Sequence, residues 1–202
     1  MVSTRFVRAG LAGLCLLAAG CRITPVVPEG PVAAVARQAL AAFVLEGRLS
    51  IVNGDESVQC AVEWLHAPDA EHWTVLGPFG QIVAQLSASA AGAELMLADG
   101  GRWQAASMDE LLPAVLPELT DAGFPTERLA DWVQAAPGGN AEVRQLDPWG
   151  RPQRVIDRGW RIEYTAYASS APDAAPRRID IDRGDFRLRL VIDNLESLER
   201  SP

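Results

Sequence analysis

Residues 43–64 constrain the fold more than any other stretch, because there the chain alternates apolar and polar side chains with a period of two. Phe43, Leu45, Gly47, Leu49 and Ile51 fall on one side, with Val44, Glu46, Arg48 and Ser50 on the other. After a turn at Asn53-Gly54-Asp55, Val58, Cys60, Val62 and Trp64 alternate with Gln59, Ala61 and Glu63. Successive side chains of a strand point to opposite faces, so this reads as a long antiparallel pair with one apolar and one polar face. Such a face must be buried, either against helices or against a sheet that bends round on itself.

Shorter pairs repeat the pattern. Residues 73–76 and 81–86 flank Gly77-Pro78-Phe79-Gly80, and residues 93–98 and 102–105 flank Asp99-Gly100-Gly101. In the last third, residues 159–168 place Trp160, Ile162 and Tyr164 on one face. Residues 177–182 and 186–193 pair across Arg183-Gly184-Asp185, with Asp180 and Asp182 facing Arg187 and Arg189. Opposite charges across a hairpin support that register. Helices are expected in three places. Residues 31–42 are Ala-rich with Val32, Val35, Ala36, Ala39 and Leu40 at helical spacing. Ser107-Met108-Asp109-Glu110 has the spacing of a capping box before Leu111, Leu112, Val115 and Leu116. Residues 126–134 carry Leu129, Trp132 and Val133 ahead of Pro137-Gly138-Gly139. The expected fold is mainly β with α: a strongly bent antiparallel sheet, or half-open barrel, covered by short helices around an apolar interior cavity.

The N-terminus sets the compartment. Arg5 and Arg8 precede an apolar run over residues 11–19 that is too short to span a bilayer, and small residues follow. Leu17-Ala18-Ala19-Gly20-Cys21 resembles the lipobox of bacterial lipoproteins. That resemblance implies a signal peptide over residues 1–20, lipidation of Cys21, and a chain held by its first mature residue. Arg22 stands where Asp would imply retention at the inner membrane, so the outer membrane is implied. Residues 21–31, with three prolines, read as a flexible tether, residues 32–194 as a single domain, and residues 195–202 as a polar tail. The formal net charge of −8 argues against nucleic acid as a partner. With Cys15 in the leader and Cys21 lipidated, Cys60 has no intramolecular partner. Its alternation with Val58 and Val62 points it inward, where a thiol is unreactive.

The order of motifs resembles a known family. Phe43-x-Leu45-x-Gly47-Arg48-Leu49-Ser50, Trp64, Pro78-Phe79-Gly80, Leu129-x-x-Trp132, Pro137-Gly138, Gly159-Trp160-x-Ile162-x-Tyr164 and Ile192-Asp193-Asn194 occur in the order seen in the outer-membrane lipoprotein receptor family LolB. Phe79 stands where that family often has Leu, and Leu195 where a Trp is frequent. The resemblance implies a receptor facing the periplasm that takes acylated lipoproteins from the soluble carrier LolA, whose architecture is similar. It implies that Phe79 helps pass cargo into outer-membrane lipid.

That function needs an apolar cavity, because each exposed methylene costs about 0.8 kcal/mol in water. Phe43, Leu49, Trp64, Trp132 and Trp160 are the candidate acyl-cavity residues, and ordinary core packing is their other reading. Pro78 and Gly80 hold Phe79 at the tip of a tight turn, where an exposed aromatic suits lipid. Arg48 could position a head group or form a surface ion pair. No nucleophile elbow or phosphate loop is present, and His66 and His72, read as exposed loop residues, lack metal-ligand spacing. The expectation is therefore a monomer that is not an enzyme and needs no cofactor beyond the lipid on Cys21. The rival readings are a structural lipoprotein whose interior is only a core, and a hydrolase with an unrecognised site.

Overall fold

The computed structural model describes residues 32–198. The expected signal peptide, Cys21 and the tether at residues 21–31 lie outside them. Eleven strands follow one another as β1 (Phe43–Asn53), β2 (Glu56–Ala67), β3 (Ala70–Leu76), β4 (Ile82–Ser89), β5 (Gly92–Leu97), β6 (Arg102–Ala105), β7 (Glu142–Leu146), β8 (Pro152–Asp157), β9 (Trp160–Tyr167), β10 (Pro176–Arg183) and β11 (Phe186–Ser197). They form one antiparallel sheet in the order β6-β5-β4-β3-β2-β1-β11-β10-β9-β8-β7. The long first strand pairs on one side with β2, Leu45 opposite Trp64, and on the other with β11, Leu49 opposite Leu190. Strands β6 and β7 are the two edges of the sheet, so it curves without closing.

The alternation read from the sequence sets which face turns inward. Phe43, Leu45, Leu49 and Ile51 of β1 are buried, as are Val62 and Trp64 of β2. Between β6 and β7 the chain supplies three short helices, α1 (Met108–Leu111), α2 (Pro117–Asp121) and α3 (Leu129–Val133), with single turns of 3-10 helix at Leu112–Ala114 and Thr126–Arg128. Helix α1 packs on β4, β5 and β6, and α2 packs on β1. Their buried residues Leu111, Leu112, Leu116, Leu119, Leu129, Trp132 and Val133 join the sheet in one apolar cluster.

Several local expectations are corrected. Residues 32–42 form no helix. Their polar groups are used in tertiary bonds instead: Val35 N–H donates to Gly150 O at 2.8 Å, and Leu40 N–H to Gln134 Oε1 at 2.6 Å. A helix of this length is marginal by itself, so such contacts outweigh it. Ser107 makes no capping bond to the backbone; its hydroxyl donates to Glu110 at 3.2 Å. Helix α3 stops short of Pro137-Gly138-Gly139, because Ala135 takes a left-handed conformation at φ 49°. Strand β11 continues to Ser197, three residues into the expected tail, since Leu195 pairs with Leu45 and packs on the core. Strands β7 and β8 have no counterpart in the sequence reading.

Candidate functional site

All five candidate cavity residues are buried, and four of them fall into two groups. Phe43 and Trp64 meet edge-to-face at 5.0 Å, and Trp64 lies 5.0 Å from Trp73 across the β2–β3 pair. Trp132 and Trp160 are brought together through Phe124, whose ring centre is 5.7 Å from the first and 5.1 Å from the second. Phe186 closes that group at 5.2 Å from Trp160. Leu49 is buried on β1, near the aliphatic side chains of β11. Trp132 is itself on helix α3 of the cover, and the leucines of the helical segment join the sheet residues in one apolar cluster.

Polar clamps hold that cover, and their partners are far apart in sequence. Asp157, buried at the end of β8, accepts from Trp132 Nε1 at 2.9 Å and from Arg128 Nε at 2.8 Å. Arg128 also donates to Asp131 at 2.5 Å and to Gly138 O at 3.1 Å. Tyr164 on β9 donates to Trp132 O at 3.0 Å, and burial pushes its phenol well above the ordinary range. Helix α3 is thereby fastened to β8 and β9. At its other end the buried Gln134 amide exchanges hydrogen bonds with Leu40, accepting at 2.6 Å and donating at 3.3 Å. Arg37 donates to Gln134 O at 3.1 Å, Pro172 O at 2.9 Å and Ala174 O at 2.9 Å, and its burial lowers its pKa. Sequence reasoning missed Arg37, Arg128, Gln134 and Asp157, because nothing local marks partners across such distances.

Phe79 is 95 % exposed. Its turn is closed by Gly77 N–H donating to Gln81 O at 2.8 Å and Gly80 N–H to Gly77 O at 2.9 Å. Gly80 has φ +76°, which glycine adopts without steric cost, so the turn is short and Phe79 stays at its tip. A surface cleft of about 350 Å³ beside the turn is lined by Gly77, Pro78, Gln59, Ala61, Arg48 and Arg189 among others. Arg48 forms a fork with Asp193, at 3.0 and 2.8 Å, joining two motifs of the sequence across β1 and β11.

The two histidines lie on strands rather than in a loop. His66 of β2 is half-buried against Phe43 at 4.9 Å and bonds Glu71, which also accepts from Trp64 Nε1 at 2.6 Å. His72 is exposed on β3. The residues pair across the β2–β3 hairpin, His66 opposite Glu71 and Leu65 opposite His72, which removes both from the short turn between the strands. Cys60 packs against the core as expected, and burial pushes its thiol up to about 11.

These features define a class: an unclosed antiparallel sheet bent around an apolar interior, covered by a clamped helical segment and carrying an exposed aromatic at one turn. Residues 41–194 match the family described as outer membrane lipoprotein LolB, and the chain belongs to that family. It is 45% identical over 166 residues to the outer-membrane lipoprotein LolB of Azoarcus sp. (strain BH72), covering 82% of this chain and 84% of the relative. It is 32% identical over 191 residues to that of Thiobacillus denitrificans, covering 94% and 97%. Among solved structures, it is similar to the LolA superfamily protein NE2245 from Nitrosomonas europaea, with TM-score 0.46 and 8% identity over 83% of this chain and 89% of that one.

Proposed function

We propose that this chain is an outer-membrane-anchored receptor, held by acyl groups on Cys21, that takes acylated lipoproteins from the periplasmic carrier LolA and delivers them into outer-membrane lipid. The reading rests on family membership, and the single structural observation that carries it is the pairing of a fully exposed Phe79 with a helix-covered apolar interior. An acyl chain of a dozen or more methylenes at about 0.8 kcal/mol each cannot cross water freely, so it needs an apolar host at every stage. Phe43, Leu49, Trp64 and Trp160 on the sheet, with Trp132 on the cover itself, supply that host once the helical cover yields. The cover also limits affinity, because opening it offsets part of the gain on binding, and a receptor that must release its cargo needs that limit. Transfer runs downhill by differential affinity, with no nucleotide. Phe79 enters lipid first and brings the interior to the bilayer surface.

The test mixes the mature chain carrying Cys21→Ala with carrier loaded with an acylated lipoprotein, and asks which protein holds the cargo. Movement of cargo to this chain is the expected result. In liposome assays, Phe79→Glu should then keep acceptance and lose delivery. Cargo that stays on a competent cognate carrier refutes the receptor role and leaves a structural lipoprotein.

A further inference from the structure

Phe79 is not alone at its end of the molecule. In the β3–β4 pair Val75 faces Ala84 but Leu76 faces Ile82, so β4 carries one extra residue, Val83, at a β-bulge. Cross-strand partners share a face, which turns Ile82 to the outer side with Leu76, away from the buried Val75 and Ala84. A bulge re-aims side chains in this way where regular alternation would bury one of them. Ile82 and Val83 are accordingly 47 % and 40 % exposed, close behind the turn that carries Phe79.

The chemistry of this hairpin selects its partner. Between Glu71 and Glu94 there is no Asp, Glu, Lys or Arg, although 22% of the chain is charged. The uncharged stretch includes the whole of β4, the turn before it and nearly all of β3. A protein interface tolerates charges and uses them to fix orientation, whereas a lipid interior penalises every one. Elsewhere on the outer face the strands are ionic: Arg189 pairs with Asp180 at 2.5 Å and Arg161 with Asp182 at 2.9 Å. The hairpin is the place where that ionic surface stops.

We propose that the outer end of the β3–β4 hairpin enters the bilayer as a unit, with Ile82 and Val83 following Phe79 into lipid. The inference rests on the receptor reading and names the lipid-contacting surface within it. A wedge of three side chains fixes the tilt of the sheet against the membrane, which a single point of contact cannot do.

The experiment places single thiols at Phe79→Cys, Ile82→Cys and Val83→Cys in the mature Cys21→Ala, Cys60→Ala chain. Val52→Cys and Leu65→Cys, at exposed apolar positions on β1 and β2, serve as controls. Each thiol carries an environment-sensitive fluorophore, and the probe is vesicles of phosphatidylethanolamine and phosphatidylglycerol bearing nitroxide lipids. The labels at 79, 82 and 83 should shift and be quenched, and those at 52 and 65 should not. Response at 79 alone overturns the proposal, as does a response at 82 and 83 to carrier or to rising protein concentration without vesicles. In delivery assays Ile82→Glu and Val83→Glu should each slow cargo delivery about tenfold with acceptance unchanged, since a carboxylate opposes lipid entry. If Phe79→Glu blocks delivery while those two deliver normally, the wedge is wrong and the receptor reading stands. If Phe79→Glu also delivers normally, lipid entry through this turn fails altogether, whereas cargo that stays on the carrier would fail the receptor reading.

Discussion

The Asp157 clamp yields a quantitative test of how the helical cover is held. Asp157 Oδ2 accepts both the Trp132 indole and the Arg128 guanidinium, and its side chain is only 4 % exposed. Asp157→Ala leaves the indole N–H in a dry site with no acceptor, at a cost of about 1–3 kcal/mol. It also removes one charge-assisted bond from Arg128, worth roughly 1.5–3 kcal/mol, although Asp131 and Gly138 O still hold that guanidinium. The sum, about 2.5–6 kcal/mol, brackets the roughly 3–5 kcal/mol usual for breaking a buried ion pair, and that narrower range is the expected loss. For a chain of this size each kcal/mol lowers Tm by roughly 2–4 °C, so a fall of about 6–20 °C is expected. Trp132→Phe keeps most of the ring and deletes the donor, and should cost about 1–2 kcal/mol. Because both changes remove the same bond, the double variant should be more stable than additivity predicts by about 1–2 kcal/mol. Urea unfolding of the Cys21→Ala chain, followed by tryptophan fluorescence, gives all three values. A loss under about 1 kcal/mol for Asp157→Ala, or strict additivity in the double variant, would refute the clamp.

Two further outcomes follow from side-chain environments. Gly47 sits opposite a bulge in β11, where Asp193 is the extra residue, and a Cβ there would come within 2.6 Å of Val191 O, a backbone atom that cannot yield cheaply. Gly47→Ala should therefore cost about 1–3 kcal/mol in denaturant unfolding, and an unchanged midpoint would show that β11 shifts freely. The Cys60 thiol, raised from 9.0 to about 11 by burial, keeps its proton in the folded chain where the unfolded chain loses it. Its contribution to stability is complete below pH 9 and is lost as pH rises from 9 to 11, so thiol reagents should label Cys60 slowly at pH 8 and rapidly once urea unfolds the chain. Equal labelling rates in both states would overturn that assignment.

The parts of this structure that were legible in the sequence are those where one face of a strand is buried. Strands β1 and β2 keep an unbroken period of two because burial of Phe43, Leu45, Ile51 and Trp64 leaves no other register. Strand β7 is the opposite case: an edge strand whose residues are nearly all exposed carries no alternation, and Pro148, Gly150 and Pro152 punctuate the stretch that leads into β8. Residues 32–42 misled for another reason, since an Ala-rich stretch has helical spacing whether or not distant carbonyls claim its donors. At the candidate site, Phe79 was readable because Pro78 and Gly80 define its turn locally. The inward aromatics were readable as apolar, but their division into two groups depends on Phe124, which joins Trp132 to Trp160 only after folding. Ile82 and Val83 could not be read as a shared surface, because the bulge that turns Ile82 outward is set by pairing with β3.

Residues 35–42 and the proposed wedge lie at different levels along the sheet. Residues 32–42 lie against the β7–β8 turn, with Val35 bonded to Gly150, and lead into Phe43 at the start of β1. The β3–β4 turn lies toward the end of the sheet where β1 finishes, since Leu76 pairs with Ala61 in the half of β2 that leaves the Asn53–Glu56 turn. Leu76 pairs with Ala61, which is level with Arg48, five residues along β1 from Phe43, so the turn begins about 17 Å from that end of the strand. A covalent limit of about 3.3–3.6 Å per residue gives residues 21–31 a reach of at most about 40 Å. If Cys21 carries the proposed anchor, that anchor and a wedge at Phe79 meet one bilayer only if residues 21–31 cover the distance between the two levels. Deleting residues 25–29 from the acylated chain shortens that reach by about 17 Å and should slow delivery into the membrane that holds the anchor while acceptance from the carrier persists. Replacing the deleted segment with an equal length of Gly and Ser should restore delivery, because only reach is at issue. Full delivery by the shortened chain would show that the wedge and the anchor do not engage the same membrane face at once, and the orientation argued here would have to be abandoned.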